Sequence, residues 1–154
     1  MIRLLWPFLP LPPWDARWDS ARKGHWGERA VTRHLWRRGY RPLAHRWVSA
    51  GDSDIDLIMG TREMLLFAEV KLRRDGDPEP WAEVHHPDRV ARLRGAVGEY
   101  LRHTRQTTVT IRIDGYLVIP TFLNPRQPRI EAREGYIAPT AVPGWRGIIP
   151  AGAE

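Results

Sequence analysis

Four charged side chains bracket the most apolar run of the chain: Asp54 and Asp56 in SDIDLIMG, then Glu69 and Lys71 in LFAEVKLR, with GTR between the two apolar stretches. If both stretches are strands, alternation puts Asp54 and Asp56 on one face of the first, and Glu69 and Lys71 on one face of the second. A hairpin pairing Asp56 with Phe67 sets Asp54 opposite Glu69 and gathers all four on a shared face, leaving Leu57, Leu66 and Ala68 for the other. A one-residue slip would separate them. Carboxylates at such close quarters repel unless a cation or protons compensate. A hard divalent ion, Mg²⁺ or Mn²⁺, meets that demand, because Asp56, Glu69 and the backbone carbonyl of Val70 offer oxygen donors. Lys71 then stands where an ammonium orients a water or steadies charge on a phosphoryl group. The same spacing also occurs in surface hairpins whose Asp, Glu and Lys form ordinary salt bridges, each worth little, and spacing alone leaves both readings open.

A third carboxylate, Glu28, lies in GHWGERAVTRHL. Gly24 and Gly27 disfavour a helix there and permit another backbone to come close. Glu28 is either solvated beside a tight helix contact or turned toward the ion. Other candidates carry less. His85 and His86 are adjacent on a loop, so their rings point apart more readily than together. Ser20, Ser49 and Ser53 have no readable His and Asp partners, and no Gly-rich phosphate loop occurs. Trp18, Trp26, Trp36 and Trp47 have core spacing before they have stacking spacing.

The elements that must position these groups can be read from periodicity. Apolar residues at three- and four-residue steps predict a helix over 15–38, stopped by Gly39. RPLAHRWVSA, 41–50, reads as a first strand with Leu43, His45 and Trp47 on one face. The two apolar stretches form a hairpin whose second strand, apolar on both faces, must be central and covered on both sides. Pro87 opens a second helix with Val90, Leu93, Val97, Tyr100 and Leu101 as its apolar stripe, and with Arg89, Arg92 and Arg94 off it. Residues 108–119 read as a strand, and at most one more short strand follows near 129–132, before a tail of about fifteen residues with no readable structure. The expected architecture is α/β: a mixed central β-sheet flanked by α-helices. The expected organisation is an apolar, Pro-rich extension over 1–20, a core domain over 21–120 and a Pro-rich segment over 121–154.

Composition sets the outer limits. The 154 residues carry 24 Lys plus Arg against 18 Asp plus Glu, a net charge of +6, which favours polyanions such as nucleic acid. Arg89 and Arg92 are candidates for phosphate contacts, with a solvated helix face as the plainer alternative. The absence of Cys excludes disulfides, thiolate nucleophiles and Cys-bound zinc, and fits a reducing, cytoplasmic setting. Pro7, Pro10, Pro12 and Pro13 break the apolar start too often for a signal-peptide core, so the first fourteen residues are expected to pack on the domain. No stretch reaches the roughly 20 apolar residues of a spanning helix.

Taken in order, GHWGERAVTRHLWRRGY, SDIDLI, LFAEVKLR, HPDRVARLRGAVGEYL and IRID resemble the YraN-type family, a branch of the PD-(D/E)XK nuclease superfamily, over about residues 24–118. The resemblance implies a restriction-endonuclease-like core and Mg²⁺-dependent phosphodiester hydrolysis by an endonuclease acting on DNA, branched or single-stranded forms included. It implies that Asp56 is the metal-binding Asp, that Glu69 and Lys71 are the acidic-x-Lys pair and that Glu28 is the helix Glu. Asp54 stands where the family usually has Glu, Arg73 matches the basic residue after the Lys, and Arg89 stands where a Lys is expected. The alternative is a nuclease fold kept as a non-catalytic nucleic-acid or protein binding module.

Overall fold

The computed structural model describes residues 9–149. Its first helix, α1 (Ser20–Trp36), begins five residues later than periodicity predicts, because the Asp19 carboxylate accepts the Arg22 N–H at 2.8 Å and so caps it. It ends just before Gly39, whose φ of +92° lets the chain turn back while the Tyr40 N–H reaches the Leu35 carbonyl. Then follow β1 (Arg41–Val48), β2 (Asp54–Gly60), β3 (Met64–Leu72), α2 (Pro87–His103), β4 (Thr110–Ile119) and β5 (Arg129–Ile137), with a 3-10 turn at Pro139–Ala141. The strands form one mixed sheet in the order β1-β2-β3-β4-β5, antiparallel except where β4 runs parallel to β3 after the α2 crossover. This is the α/β frame expected, consistent with a restriction-endonuclease-like core, and β3 is central.

Each face of the sheet has its own core. Trp26, Ala30, Val31 and Leu35 of α1 pack on Leu57, Met59, Leu66, Ala68, Val70, Tyr116 and Val118. On the opposite face, Leu93, Val97, Tyr100 and Leu101 of α2 pack on Ile58, Leu65, Phe67, Ile111 and Ile113. Both clusters are apolar and buried, so hydrophobic burial fixes the sheet between its two helices. No helix among the described residues is long and apolar enough to cross a membrane.

The structure differs from the sequence expectation at four places. First, β1 does not alternate. Arg46 has φ of +50°, which rotates the strand, so His45 turns toward α1 while Trp47 packs under α2, and Leu43 is exposed. Second, Trp36 is exposed rather than core. Third, β5 runs to Ile137 instead of ending near 132, carried past Gly135 at φ of +61°, whose N–H donates to the buried Asp114 carboxylate at 2.9 Å. Fourth, the stretch after Pro139 is built into the molecule: Val142 is buried and the Trp145 indole donates to the Val109 carbonyl at 2.8 Å. At the other end Leu11 is buried and the Trp26 indole donates to the Pro12 carbonyl at 2.9 Å, as packing predicts, while residues 1–8 lie outside the described range.

Candidate metal centre

The β2–β3 hairpin pairs Leu57 with Ala68, Ile58 with Phe67 and Gly60 with Leu65. That register is two residues away from the expected one, and an even slip keeps the paired residues, Leu57–Gly60 and Leu65–Ala68, on their expected faces. Pairing stops at Leu57–Ala68 although both strands run on, β2 held by β1 and β3 by β4. In the split between them the Asp56 carboxylate accepts the Val70 N–H at 2.8 Å. The face pattern of β2 also turns here: Ile55 belongs to the α2-side core and Leu57, two residues on, to the α1-side core. Asp56 therefore lies in the divided sheet itself, with Glu69 and Asp54 on the α2 side and Glu28 on the α1 side.

Glu69 is fully buried. Arg89 grips it from α2, Nε donating to Oε1 at 3.0 Å and Nη2 to Oε2, while also donating to Asp54 Oδ1 at 3.3 Å and to the Asp54 carbonyl at 3.1 Å. The expectation that Arg89 lies off the buried stripe is thus corrected: its guanidinium points inward and is spent on two carboxylates. Burial alone would lower its pKa, but the hydrogen bond and charge of Glu69, with Asp54 and Asp56 behind, raise it. Lys71 Nζ lies 3.4 Å from Glu69 and 3.5 Å from Glu83. Arg73 faces the loop instead of the acids, donating to Glu83 Oε2, to the Pro80 carbonyl at 3.1 Å and to the Leu72 carbonyl at 2.8 Å. Arg92 lines a cleft of about 300 Å³ that Asp54, Lys71, Glu83, His86 and Arg89 also border.

Asp56 bears the electrostatic strain. Burial first, then the charge of Glu69 and more weakly those of Glu28 and Asp54, push its carboxyl up to about 8, against the opposing pull of the Val70 N–H. A half-buried carboxyl so raised by specific charged neighbours is a functional-site signature. A second mark lies beside it. The Tyr136 hydroxyl is buried with no protein hydrogen-bond partner, and its ring lies against Gly115, which pairs with Glu69 in the β3–β4 ladder. An orphaned polar atom beside buried carboxylates fits a hydrated hard cation better than a closed salt-bridge cluster. Asp56, Glu69 and the Val70 carbonyl are the donors such an ion would take.

Glu28 is buried, and both His45 Nε2 and Arg46 Nε bond its carboxylate, the latter at 3.2 and 3.1 Å. Burial acts to raise its pKa, yet the hydrogen bonds from His45 and Arg46 outweigh that and lower it. His25 lies one helical turn before Glu28, with its ring centroid 5.5 Å from that of His45. His85 and His86 do point apart: His85 stacks edge-on to Tyr136 and His86 caps α2 through the Asp88 N–H. His25, His45, Glu83 and Tyr136 are the neighbours that sequence reasoning missed. The i, i+3 spacing of His25 and Glu28 was a readable signal, whereas His45 depends on the left-handed Arg46 and Glu83 on a loop path.

Comparison with known proteins follows the same segment. The model of the family described as "Uncharacterised protein family UPF0102" matches residues 27–118. A UPF0102 protein of Prochlorococcus marinus strain MIT 9303 is 37% identical over 84 residues, covering 54% of this chain and 66% of its own length, just under two thirds. One from Methylobacterium nodulans is 37% identical over 98 residues, 64% of this chain and 74% of the relative. One from Neisseria meningitidis serogroup C is 34% identical over 97 residues, 63% and 84% respectively.

Proposed function

The chain belongs to the uncharacterised protein family UPF0102, the YraN-type family that its motifs resemble, and from that premise we propose that it is a metal-dependent nuclease that hydrolyses phosphodiester bonds in DNA. The observation that carries the reading is Asp56, a half-buried carboxyl raised to about 8, lodged where the β2–β3 ladder opens beside fully buried Glu69. The surplus of Lys and Arg favours a polyanionic substrate, and the lack of Cys favours action in the cytoplasm.

Asp56, Glu69 and the Val70 carbonyl would hold Mg²⁺ or Mn²⁺. Bound there, such an ion supplies Lewis-acid polarisation of a phosphoryl oxygen and a more acidic water. The Val70 N–H fixes one oxygen of Asp56, so the carboxylate cannot swing. Lys71, 3.4 Å from Glu69, would orient the attacking water or steady charge on the phosphoryl group. Glu28, clamped by His45 and Arg46, holds negative charge on the other side of Asp56. Asp54 and Arg89 act together: to open the donors of Glu69, the guanidinium must release it and swing toward the cleft, where a phosphate is its natural partner. The bidentate grip of Arg89 on Glu69 favours one other reading, a binding module in which Arg89 permanently replaces the ion.

Calorimetric titration with Mg²⁺ and Mn²⁺, followed by incubation with labelled duplex, single-stranded and branched DNA, separates the two. Metal binding and cutting lost together in Glu69→Gln and Asp56→Asn support the nuclease. Metal-independent DNA binding without cutting, unaffected by Glu69→Gln, supports the module.

A further inference from the structure

His25, Glu28 and His45 bring one ligand atom each to within 4.8 Å of one another. The arrangement is built by two separate elements. His25 and Glu28 are three residues apart on α1 and share a face of the helix. His45 arrives from β1 only because Arg46, at φ of +50°, breaks the strand's alternation and turns the imidazole toward α1. Neighbouring residues His45 and Arg46 then both reach one carboxylate, which a regular strand would not allow.

We propose that this trio is a second cation site, chemically distinct from the carboxylate centre, that takes a borderline-soft divalent ion of the Zn²⁺ class. Two imidazoles and one carboxylate form the donor set of zinc sites that keep an open position, and imidazole nitrogen favours such ions over Mg²⁺. The protonation states suit it. Slight desolvation and the nearby Arg46 charge keep the His25 ring toward its neutral, ligating form, and Glu28 is held ionised. Ligand atoms now up to 4.8 Å apart contract onto the ion by rotation of the exposed His25 ring, the buried Glu28 staying in place. The ion takes the Glu28 oxygen that His45 now bonds, and Arg46 stays on the other at 3.2 Å. The extra positive charge is offset by Asp54 and Asp56, which already act on Arg46. Bound there, the ion ties α1 to β1 beside the acid centre. This inference does not depend on the chain cutting DNA.

Co²⁺ absorption and competition with Zn²⁺, on the full chain in excess Mg²⁺, test it. The expected result is one visible-absorbing Co²⁺ per chain, displaced by Zn²⁺ and retained in Asp56→Asn. Affinity should fall at least about tenfold in His25→Ala and in His45→Gln. His25 is exposed, so its variant should keep the native circular dichroism and melt, and its Mg²⁺ binding should equal wild type. Wild-type Co²⁺ and Zn²⁺ affinity in a folded His25→Ala, or loss of Co²⁺ binding in Asp56→Asn, would overturn the assignment. Failure of DNA cleavage with intact Co²⁺ binding would count against the nuclease reading alone.

Discussion

Asp56 ties stability to pH through a single proton. In the unfolded chain its carboxyl ionises at an ordinary 3.8, whereas in the folded protein burial and the charge of Glu69 hold the proton to about 8. Between those values the folded state binds more protons than the unfolded one, so its stability falls as pH rises through the window. We expect metal-free protein to lose about 3–4 kcal/mol between about pH 5 and pH 8 in urea unfolding. Asp56→Asn, whose amide oxygen can still accept the Val70 N–H, should flatten that dependence, and saturating Mg²⁺ should recover the stability that the wild type loses. An equally steep slope in the Asn variant would remove Asp56 as its source. At this scale the sequence was informative where residue parity alone mattered. Glu69 and Lys71 keep their face despite a two-residue register difference, because an even slip preserves faces, and Asp54 and Asp56 reach them where the β2–β3 ladder opens. It was silent where parity breaks, as at Arg46, and where a charge changes partner, as with Arg89, whose inward turn is dictated by Glu69 and Asp54 across the fold and not by its own helix.

Helices and strands were legible through their apolar periods, and their boundaries were set by single polar contacts that periods do not carry. Asp19 starts α1 and the Asp114–Gly135 bond extends β5. Two of the interior helix glycines, Gly27 and Gly98, divide on the same ground. Close approach was expected at Gly27, yet a Cβ there would meet Leu72, Val70 and Val118 at 3.6 to 3.9 Å, ordinary contacts. Gly98 of α2 is different, since a Cβ would come within 2.5 Å of the Pro143 carbonyl oxygen. Gly27→Ala should therefore raise stability by about 0.5–1 kcal/mol through helix propensity. Gly98→Ala should cost about 1–3 kcal/mol by pushing away the stretch that carries Val142 and Trp145. Thermal melts with Trp145 replaced by Phe as a fluorescence reference would read both, and a neutral Gly98→Ala would mean that this stretch does not rest on α2.

At the scale of the whole molecule, the net charge of +6 and the acidic centre oppose each other, and the placement of the arginines reconciles them. Arg46 and Arg89 face inward to the carboxylates, one from each side of the sheet. Arg92 lines the cleft, and no ion pair is seen for it among the described residues. Composition could give the total charge but not this division, because it depends on which arginines β1 and α2 turn toward the carboxylates. The division predicts two kinds of DNA-binding defect. In a Glu69→Gln background that blocks cutting, Arg92→Ala should weaken binding to all sequences alike and lower the slope of log affinity against log salt by about 1, the signature of one lost phosphate contact. Arg89→Ala should instead act first on the fold in the wild-type background, where it leaves buried Glu69 with Lys71 at 3.4 Å in place of its bidentate partner, at about 3–5 kcal/mol. Much of that loss should vanish when Glu69 is also Gln, since a neutral amide needs no guanidinium. A salt slope unchanged in Arg92→Ala would take the cleft out of the DNA path, and a full stability loss persisting in the double variant would show that Arg89 holds the fold through Asp54 and not through Glu69.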